Sequence, residues 1–246
     1  QNLSDLLISE SPVFVKSYGL GTLATSAFRG GSASHTAVLW NGFKINSPMN
    51  GQSDLSLIPV NFSDAVYIQY GGTSALWGSG AVGGTVHLIN DAKFDAGFTA
   101  KINLSAGSFD NYNQQAFVEY SKKRFISSIK LFHLSGKNNF YYNNFFLPGN
   151  PKIKLSDAEL SGYGLLSENY FLIKEKQKIN LFFWHQHTDR NIPPVMLQSD
   201  SKANQIDDNY RMTSEWMYAK EKITTYIRAA YFNESLSYSD IIYRIS

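Results

Sequence analysis

The chain has 246 residues, of which 43% are hydrophobic, 15% aromatic and 17% charged, with a net charge of +2 and no cysteine. That small charge, with no Lys/Arg run, gives no footing for nucleic acid, and the lack of cysteine removes disulfide frameworks and thiolate metal sites. No stretch of about 18 uninterrupted apolar residues occurs, which excludes a transmembrane helix but leaves short, alternating membrane strands open.

Gln1-Asn2-Leu3 lacks the basic start and apolar run of a signal peptide. Ser4 is expected to cap a short helix carrying Leu3, Leu6 and Leu7. Short β-type runs follow at Val13-Phe14-Val15, Ala37-Val38-Leu39-Trp40, Val66-Tyr67-Ile68 and Val86-His87-Leu88-Ile89, separated by Gly/Ser/Asn-rich links. Asn41-Gly42, between Leu39-Trp40 and Phe43-Lys44-Ile45, predicts a type I′ hairpin. Residues 1–95 therefore read as a small mixed domain.

Its last part is dense in glycine: Gly71, Gly72, Gly78, Gly80, Gly83 and Gly84 come from a chain total of 18. Such density implies a tightly shaped connector, because glycine serves where φ is positive or another backbone passes close. Gly78-x-Gly80-x-x-Gly83 matches the dinucleotide fingerprint, but that motif must open a helix, and Thr85-Val86-His87-Leu88-Ile89 reads as strand. No lysine follows for a Walker loop either.

From Gly97 the text changes to alternating segments at 101–106, 114–120, 125–134, 160–172, 179–186, 210–218 and 225–236. Alternation predicts half-buried strands. Short charged links at Ser121–Arg124, Lys174–Gln177 and Ala219–Lys222 exchange with long ones at Gly136–Asp157 and Thr188–Asp207. Outer-membrane barrels show this pattern of short turns and long loops. In the Tyr210 strand, Tyr210, Met212, Trp216 and Tyr218 share one face while Arg211, Thr213 and Glu215 share the other. Near Ile179, the set Ile179, Leu181 and Phe183 opposes Asn180 and Gln186, with Phe182 and Trp184 breaking the alternation. A soluble β-sandwich, such as a carbohydrate-binding module or adhesin, alternates too and is the competing class.

Phe28-Arg29-Gly30, Val38-Leu39-Trp40-Asn41-Gly42 and the closing block with Ser74, Gly78, Ala81, Gly83, Gly84 and Ile89 stand in that order. Together they resemble the plug domain of TonB-dependent outer-membrane transporters, whose blocks run I-R-G, V-L-I-D-G and R-G-P-x-S-x-x-Y-G-x-x-A-x-G-G-x-I-N-I-I. Tyr70, Gly72 and Trp77 depart from that pattern, standing where the family has arginine, proline and tyrosine. The resemblance implies a mixed α/β plug domain (1–95, N-terminally truncated) followed by transmembrane antiparallel β-barrel strands (96–246, incomplete). This would be the N-terminal part of a 22-stranded plugged barrel in the outer membrane of a Gram-negative bacterium. About seven strands would leave open edges, so further segments are expected to complete the barrel. It further implies transport rather than enzymatic activity, with TonB as energiser through a TonB box missing from this chain, and outer-membrane lipid around the barrel. No catalytic motif such as G-x-S-x-G is present. A passive porin is disfavoured because porins lack a plug.

Within the family, Phe28-Arg29-Gly30-Gly31-Ser32-Ala33-Ser34-His35 and Gly51-Gln52-Ser53-Asp54-Leu55-Ser56 are similar to the cobalamin-receptor branch, with R-G-x-x-A-S-H and G-x-x-D-L-S. That likeness implies a corrinoid ligand held by Gly21, Thr22, Leu23, Ser32, Asn46, Ser47, Met49, Asn50 and Gln52, with siderophore or haem receptors as the alternative. It makes Arg29 the plug–barrel lock, with Glu119, Glu168 and Glu215 as candidate partners. Asp189, Asp200, Asp207 and Asp208 are candidate calcium (Ca2+) ligands by the same likeness, against the plainer reading of a solvated acidic loop. His185-x-His187 reads as polar rim rather than metal site. The aromatic Phe140-Tyr141-Tyr142 and Phe145-Phe146 of the first long loop would serve the ligand or dock a surface lipoprotein.

Overall fold

Asn2 caps the first helix, α1 (Leu3–Glu10): its side chain accepts from the Asp5 backbone N–H at 3.0 Å, and Asp5 Oδ2 accepts from the Asn2 N–H at 3.2 Å. This closed capping box corrects the expected cap at Ser4. Ser4 lies inside the helix with its hydroxyl donating to Asn2 Oδ1 at 2.6 Å. A cap at Ser4 would leave Leu3 outside the helix, and Leu3 is wholly buried.

The computed structural model describes residues 2–19, 21–28, 30–197 and 201–240. The chain falls into two units, Gln1–Ala92 and Lys93–Ser246. In the first, β1 (Phe14–Ser17) pairs antiparallel with β2 (Ala24–Ala27). A second sheet holds β3 (Thr36–Trp40), β4 (Phe43–Lys44), β5 (Ala65–Tyr70) and β6 (Gly84–Ile89) in the order β4-β3-β6-β5, with β3 and β6 parallel. All of β3 is buried, as befits a central strand of near-continuous apolar residues. Asn41 (φ 48°) and Gly42 (φ 86°) both take positive φ, as the type I′ turn between β3 and β4 requires. β2 has no β-branched run beyond Thr25, so propensity did not announce it; its small side chains form a strand because tertiary context buries them.

Leu3 and Leu7 of α1 are buried, as are Val38, Leu39 and Trp40 of β3, Leu55, Phe62, and Val86 and Leu88 of β6. Trp40 is wholly buried, and its indole N–H donates to Asn90 Oδ1 at 2.9 Å. The same oxygen accepts from Asn41 Nδ2 at 3.0 Å, while Asn90 Nδ2 donates to the Phe62 carbonyl at 2.7 Å.

The glycine-rich connector turns out to be a one-turn helix, α2 (Ser74–Trp77), ended by Gly78, then a 3-10 turn (Ser79–Ala81) that delivers the chain to β6. Gly78 sits at φ 81°, which a side chain would strain. Gly84 needs space: a Cβ there would lie 2.8 Å from the Gln69 carbonyl and 2.9 Å from Phe28 Cδ1. Gly72 meets neither demand, having nothing within 4 Å of its Cβ position. On β6, His87 packs edge-on to Trp77 at 5.6 Å and bonds Thr85 Oγ1 at 2.8 Å, and burial lowers its pKa from the ordinary 6.5.

The second unit is a seven-stranded antiparallel sheet. Its strands are β7 (Gly97–Gly107), β8 (Asn111–Lys122), β9 (Phe125–Gly136), β12 (Leu160–Lys174), β13 (Gln177–Asn191), β14 (Asn204–Lys220) and β15 (Ile223–Ser239). They lie in sequence order, with β7 and β15 at the edges. β10 (Tyr141–Asn143) and β11 (Lys152–Lys154) form a separate hairpin within the first long loop. The expected strands are all present and longer. Register pairing from Leu181↔Ser214 through Asn191↔Asn204 is unbroken, so the second long loop shrinks from the expected Thr188–Asp207 to 192–203.

The two faces of this sheet differ in chemistry. Tyr163, Leu165, Ile179, Leu181, Phe183, Tyr210, Met212 and Trp216 lie on one face; Lys130, Glu168, Gln186, Arg190, Arg211 and Thr213 lie on the other and are buried. Phe182 and Trp184 belong to the polar face, where the Arg211 guanidinium lies 4.6 Å from the Trp184 ring centre. This resolves the broken alternation, since an indole can cover a charged neighbour. On the apolar face, aromatic rings mark both ends. Phe125 and Phe171 (5.2 Å) and Trp216 and Tyr218 (6.1 Å) lie near the short turns, and His185 and Tyr210 (4.4 Å) and Tyr163 and His187 (5.2 Å) near the long loops. Eight residues separate Tyr210 from Tyr218 and Tyr163 from Phe171. At about 3.3 Å per residue this gives a band roughly 26 Å along the strands, or about 20 Å of height at a barrel strand's tilt, comparable to an outer-membrane apolar belt flanked by aromatic girdles.

Gly84→Ala is expected to destabilise the first unit by about 1–3 kcal/mol through overpacking against Phe28 and the β5 backbone, and Gly72→Ala to be neutral, as read by denaturant unfolding. For His87, the folded pKa is depressed, so its contribution is complete above 6.5 and is lost as pH falls through the lowered folded value. Hydrogen exchange across β5 and β6 should therefore quicken as pH drops below 6.5 once corrected for intrinsic rates, and His87→Gln should flatten that dependence.

Candidate ligand-binding site

The β1–β2 turn is held by its own backbone, with Tyr18 N–H donating to the Leu23 carbonyl at 3.1 Å and Thr22 Oγ1 donating to the Gly19 carbonyl at 3.0 Å. Gly21 takes φ 72°, Thr22 is buried and Leu23 is exposed. Of this trio, Leu23 is the exposed side chain.

The 46–52 loop is built more tightly. Ser47 N–H donates to the Gln52 carbonyl at 2.8 Å, Gly51 N–H to the Ser47 carbonyl at 2.9 Å and Gln52 N–H to Asn50 Oδ1 at 3.0 Å. Asn46 is buried and its amide is spent on Val38, Thr36 and Gly51. Met49 at the apex is 78% exposed, and Pro48 and Asn50 beside it are exposed too. A methyl at Gly51 would lie 3.7 Å from Ser34 Cβ, so this loop abuts the turn holding Ser32, whose hydroxyl lies 2.8 Å from that of Ser34. Asp54 ties in the β1–β2 turn by accepting from the Ala24 N–H at 3.0 Å.

The structure thus gathers Leu23, Ser32, Ser47, Met49, Asn50 and Gln52 on linked turns of one unit, with Thr22 and Asn46 beneath them. Asp54 was absent from the expected set, although Asp54-x-Ser56 is the local signature of a side-chain-closed turn. Ser56 N–H and Oγ both donate to Asp54 Oδ1, at 3.0 and 2.7 Å. Tyr70, in the place of the family arginine, meets Phe28 edge-on at 5.5 Å beside a cavity of about 470 Å³ lined by Pro12, Val13, Phe14 and Ala27.

Arg29 lies outside the described residues. Two of its candidate partners are engaged within the strand sheet. Glu168 accepts from Ser128 Oγ at 2.6 Å and pairs with Lys130 at 3.2 Å, both charges buried. Glu215 pairs with Arg228 at 2.6 Å and accepts from Asn180 Nδ2 at 3.1 Å. Glu119 shares their face of the sheet.

The acidic set divides. Asp200 lies outside the described residues, and Asp189, Asp207 and Asp208 are strand residues rather than loop residues. Asp207 lies opposite Thr188, while Asp208 lies opposite His187 on the other face. Asp189 accepts from Asn204 Nδ2 at 2.7 Å, and Asp208 takes His185 Nε2 at 3.1 Å. Among the described residues no group of three or more His, Asp or Glu is arranged to hold a metal ion. His185 and His187 sit in the aromatic rim, stacked on Tyr210 and Tyr163. In the long loops, Phe145 and Phe146 are exposed at the tip of the β10–β11 hairpin, and Asn144 Nδ2 donates to the Met196 carbonyl at 2.6 Å, joining the two loops. Lys137 bonds Asp110 at 2.7 Å across the loop ends, and that bond raises its pKa.

Residues 1–85 match the family model described as TonB-dependent Receptor Plug Domain. A vitamin B12 transporter, BtuB of Vibrio vulnificus, is 29% identical over 165 residues, covering 61% of this chain and 27% of that protein. Two solved structures share the fold: the copper transporter OprC (TM-score 0.74, 14% identity, 94% of this chain and 35% of that one) and the siderophore receptor PiuA of Acinetobacter baumannii (TM-score 0.73, 15% identity, 96% and 34%). The chain thus spans about a quarter to a third of the length of these relatives. Residues 1–85 thus match a TonB-dependent receptor plug domain, and the plug together with the strands that follow it shares the fold of these two solved transporters.

Proposed function

We infer that this chain supplies the plug and part of the barrel wall of a TonB-dependent importer, and that its ligand is cobalamin or a related corrinoid. The observation that carries the reading is the 46–52 loop, a self-bonded pedestal with the Met49 thioether at its apex and hydroxyl and amide groups around it. A large ligand with apolar faces and an amide-bearing edge asks for this mixture, because apolar area gives affinity and a few placed polar groups give orientation. The 29% identity to a vitamin B12 transporter supports the same choice. In this reading ligand settles on the plug turns, and TonB, drawing on inner-membrane energy, rearranges the plug to open a path.

A siderophore or other metal chelate is the second reading, favoured by the structural likeness to a siderophore receptor at TM-score 0.73. Titrating cyanocobalamin and a ferric siderophore against the full-length receptor in detergent separates the two. Saturable binding of cyanocobalamin is expected, with Met49→Asp weakening it about tenfold, near 1.4 kcal/mol. Binding of the siderophore alone would overturn the corrinoid assignment.

A further inference from the structure

We propose that Asn46 and Asp54 are positioning residues that fix the plug's ligand-contacting turns in one shape before ligand arrives; what those turns contact rests on the function inferred above. Asn46 sits where the chain leaves β4. The ladder on β3 runs Trp40↔Phe43 and Leu39↔Lys44, followed by the Ile45 N–H donating to the Val38 carbonyl at 2.9 Å. At the next step the backbone turns away, and the Asn46 side chain takes its place. Its Oδ1 accepts from the Val38 N–H at 2.8 Å and its Nδ2 donates to the Thr36 carbonyl at 2.8 Å.

A carboxamide is a peptide group in miniature, so it keeps the edge of β3 satisfied while freeing the main chain to form the loop. Leaving those buried groups open would be costly. The second proton of Nδ2 closes the loop onto the Gly51 carbonyl at 3.0 Å. Both protons and the oxygen of this amide bond to backbone, and the residue is only 8% exposed. Its role is therefore support of the loop rather than contact with ligand.

Asp54 does the same for the neighbouring turn. One carboxylate oxygen receives the Ala24 N–H, the Ser56 N–H and the Ser56 hydroxyl, so the first residue after Leu23 is tied to the 3-10 turn Leu55–Leu57. Bonds to an ionised acceptor are the stronger kind. The turns at 18–23 and 46–52 consequently share one frame. Holding them beforehand spares the ordering that binding would otherwise require.

The test uses the full-length receptor in detergent, with hydrogen exchange over 18–24 and 46–57 read beside stopped-flow binding of cyanocobalamin. Asn46→Ala and Asp54→Ala should speed exchange in those two segments about tenfold while β6 and the barrel strands stay unchanged. Cyanocobalamin affinity should fall about tenfold, chiefly through slower association. Asp54→Asn, which keeps an acceptor oxygen in place, should recover most of both effects. If Asn46→Ala fails to assemble, Asn46→Asp keeps the side-chain shape and the bond from Val38 but sets a carboxylate oxygen against the Thr36 and Gly51 carbonyls, and exchange in the same two segments should quicken. Unchanged exchange, or faster exchange with unchanged affinity, overturns the proposal. A wild-type receptor that ignores cyanocobalamin would sink the corrinoid reading, while the exchange measurements still decide whether Asn46 and Asp54 position the turns.

Discussion

A buried indole that still needs an acceptor organises the plug. Trp40 fills the centre of the first unit, and its N–H can be buried only because Asn90 is there to receive it. Asn90 comes immediately after β6 and Asn41 immediately after β3, so one amide fixes the parallel pair at the same end. Its other hydrogen bond, to the Phe62 carbonyl, brings in the approach to β5. The parallel register of β3 and β6, and with it the exit of the β3–β4 hairpin toward the 46–52 loop, depends on this one constellation.

The strand unit answers a different constraint. Its apolar face is suited to hydrocarbon, and between the aromatic rims the charges go to the opposite face, where several are paired. Lys130 with Glu168, Arg211 with Glu234 and Arg228 with Glu215 are three such pairs, all between neighbouring strands.

The barrel-type strands were legible in the sequence because alternation is a property of single residues, and order and facing follow from it; their lengths do not, because polar residues such as Asp189 and Gln205 extend the ladder where alternation has stopped. The type I′ hairpin was legible for the same reason, since Asn-Gly satisfies its backbone demand alone. The site was less so. Asn46 and Met49 are both uncharged side chains in one loop, and nothing in their spacing tells that one is swallowed by the β3 edge and the other left at the apex. That distinction comes from where β4 stops, a matter of pairing across the chain. Ser4 failed as a cap because the burial of Leu3 decides where α1 begins, and strand register, which spacing alone does not tell, sends Asp207 and Asp208 to opposite faces.

The length of the outer strands bears on reach. β14 continues six residues past Tyr210 before the chain turns, and β15 matches it as far as Ser239. At about 3.3 Å per residue this is some 20 Å of hydrogen-bonded ribbon above the aromatic rim, or roughly 15 Å of height after barrel tilt. The strand ends Asn191 and Asn204 are thus raised on a stiff ribbon above the aromatic rim by more than the thickness of a headgroup layer.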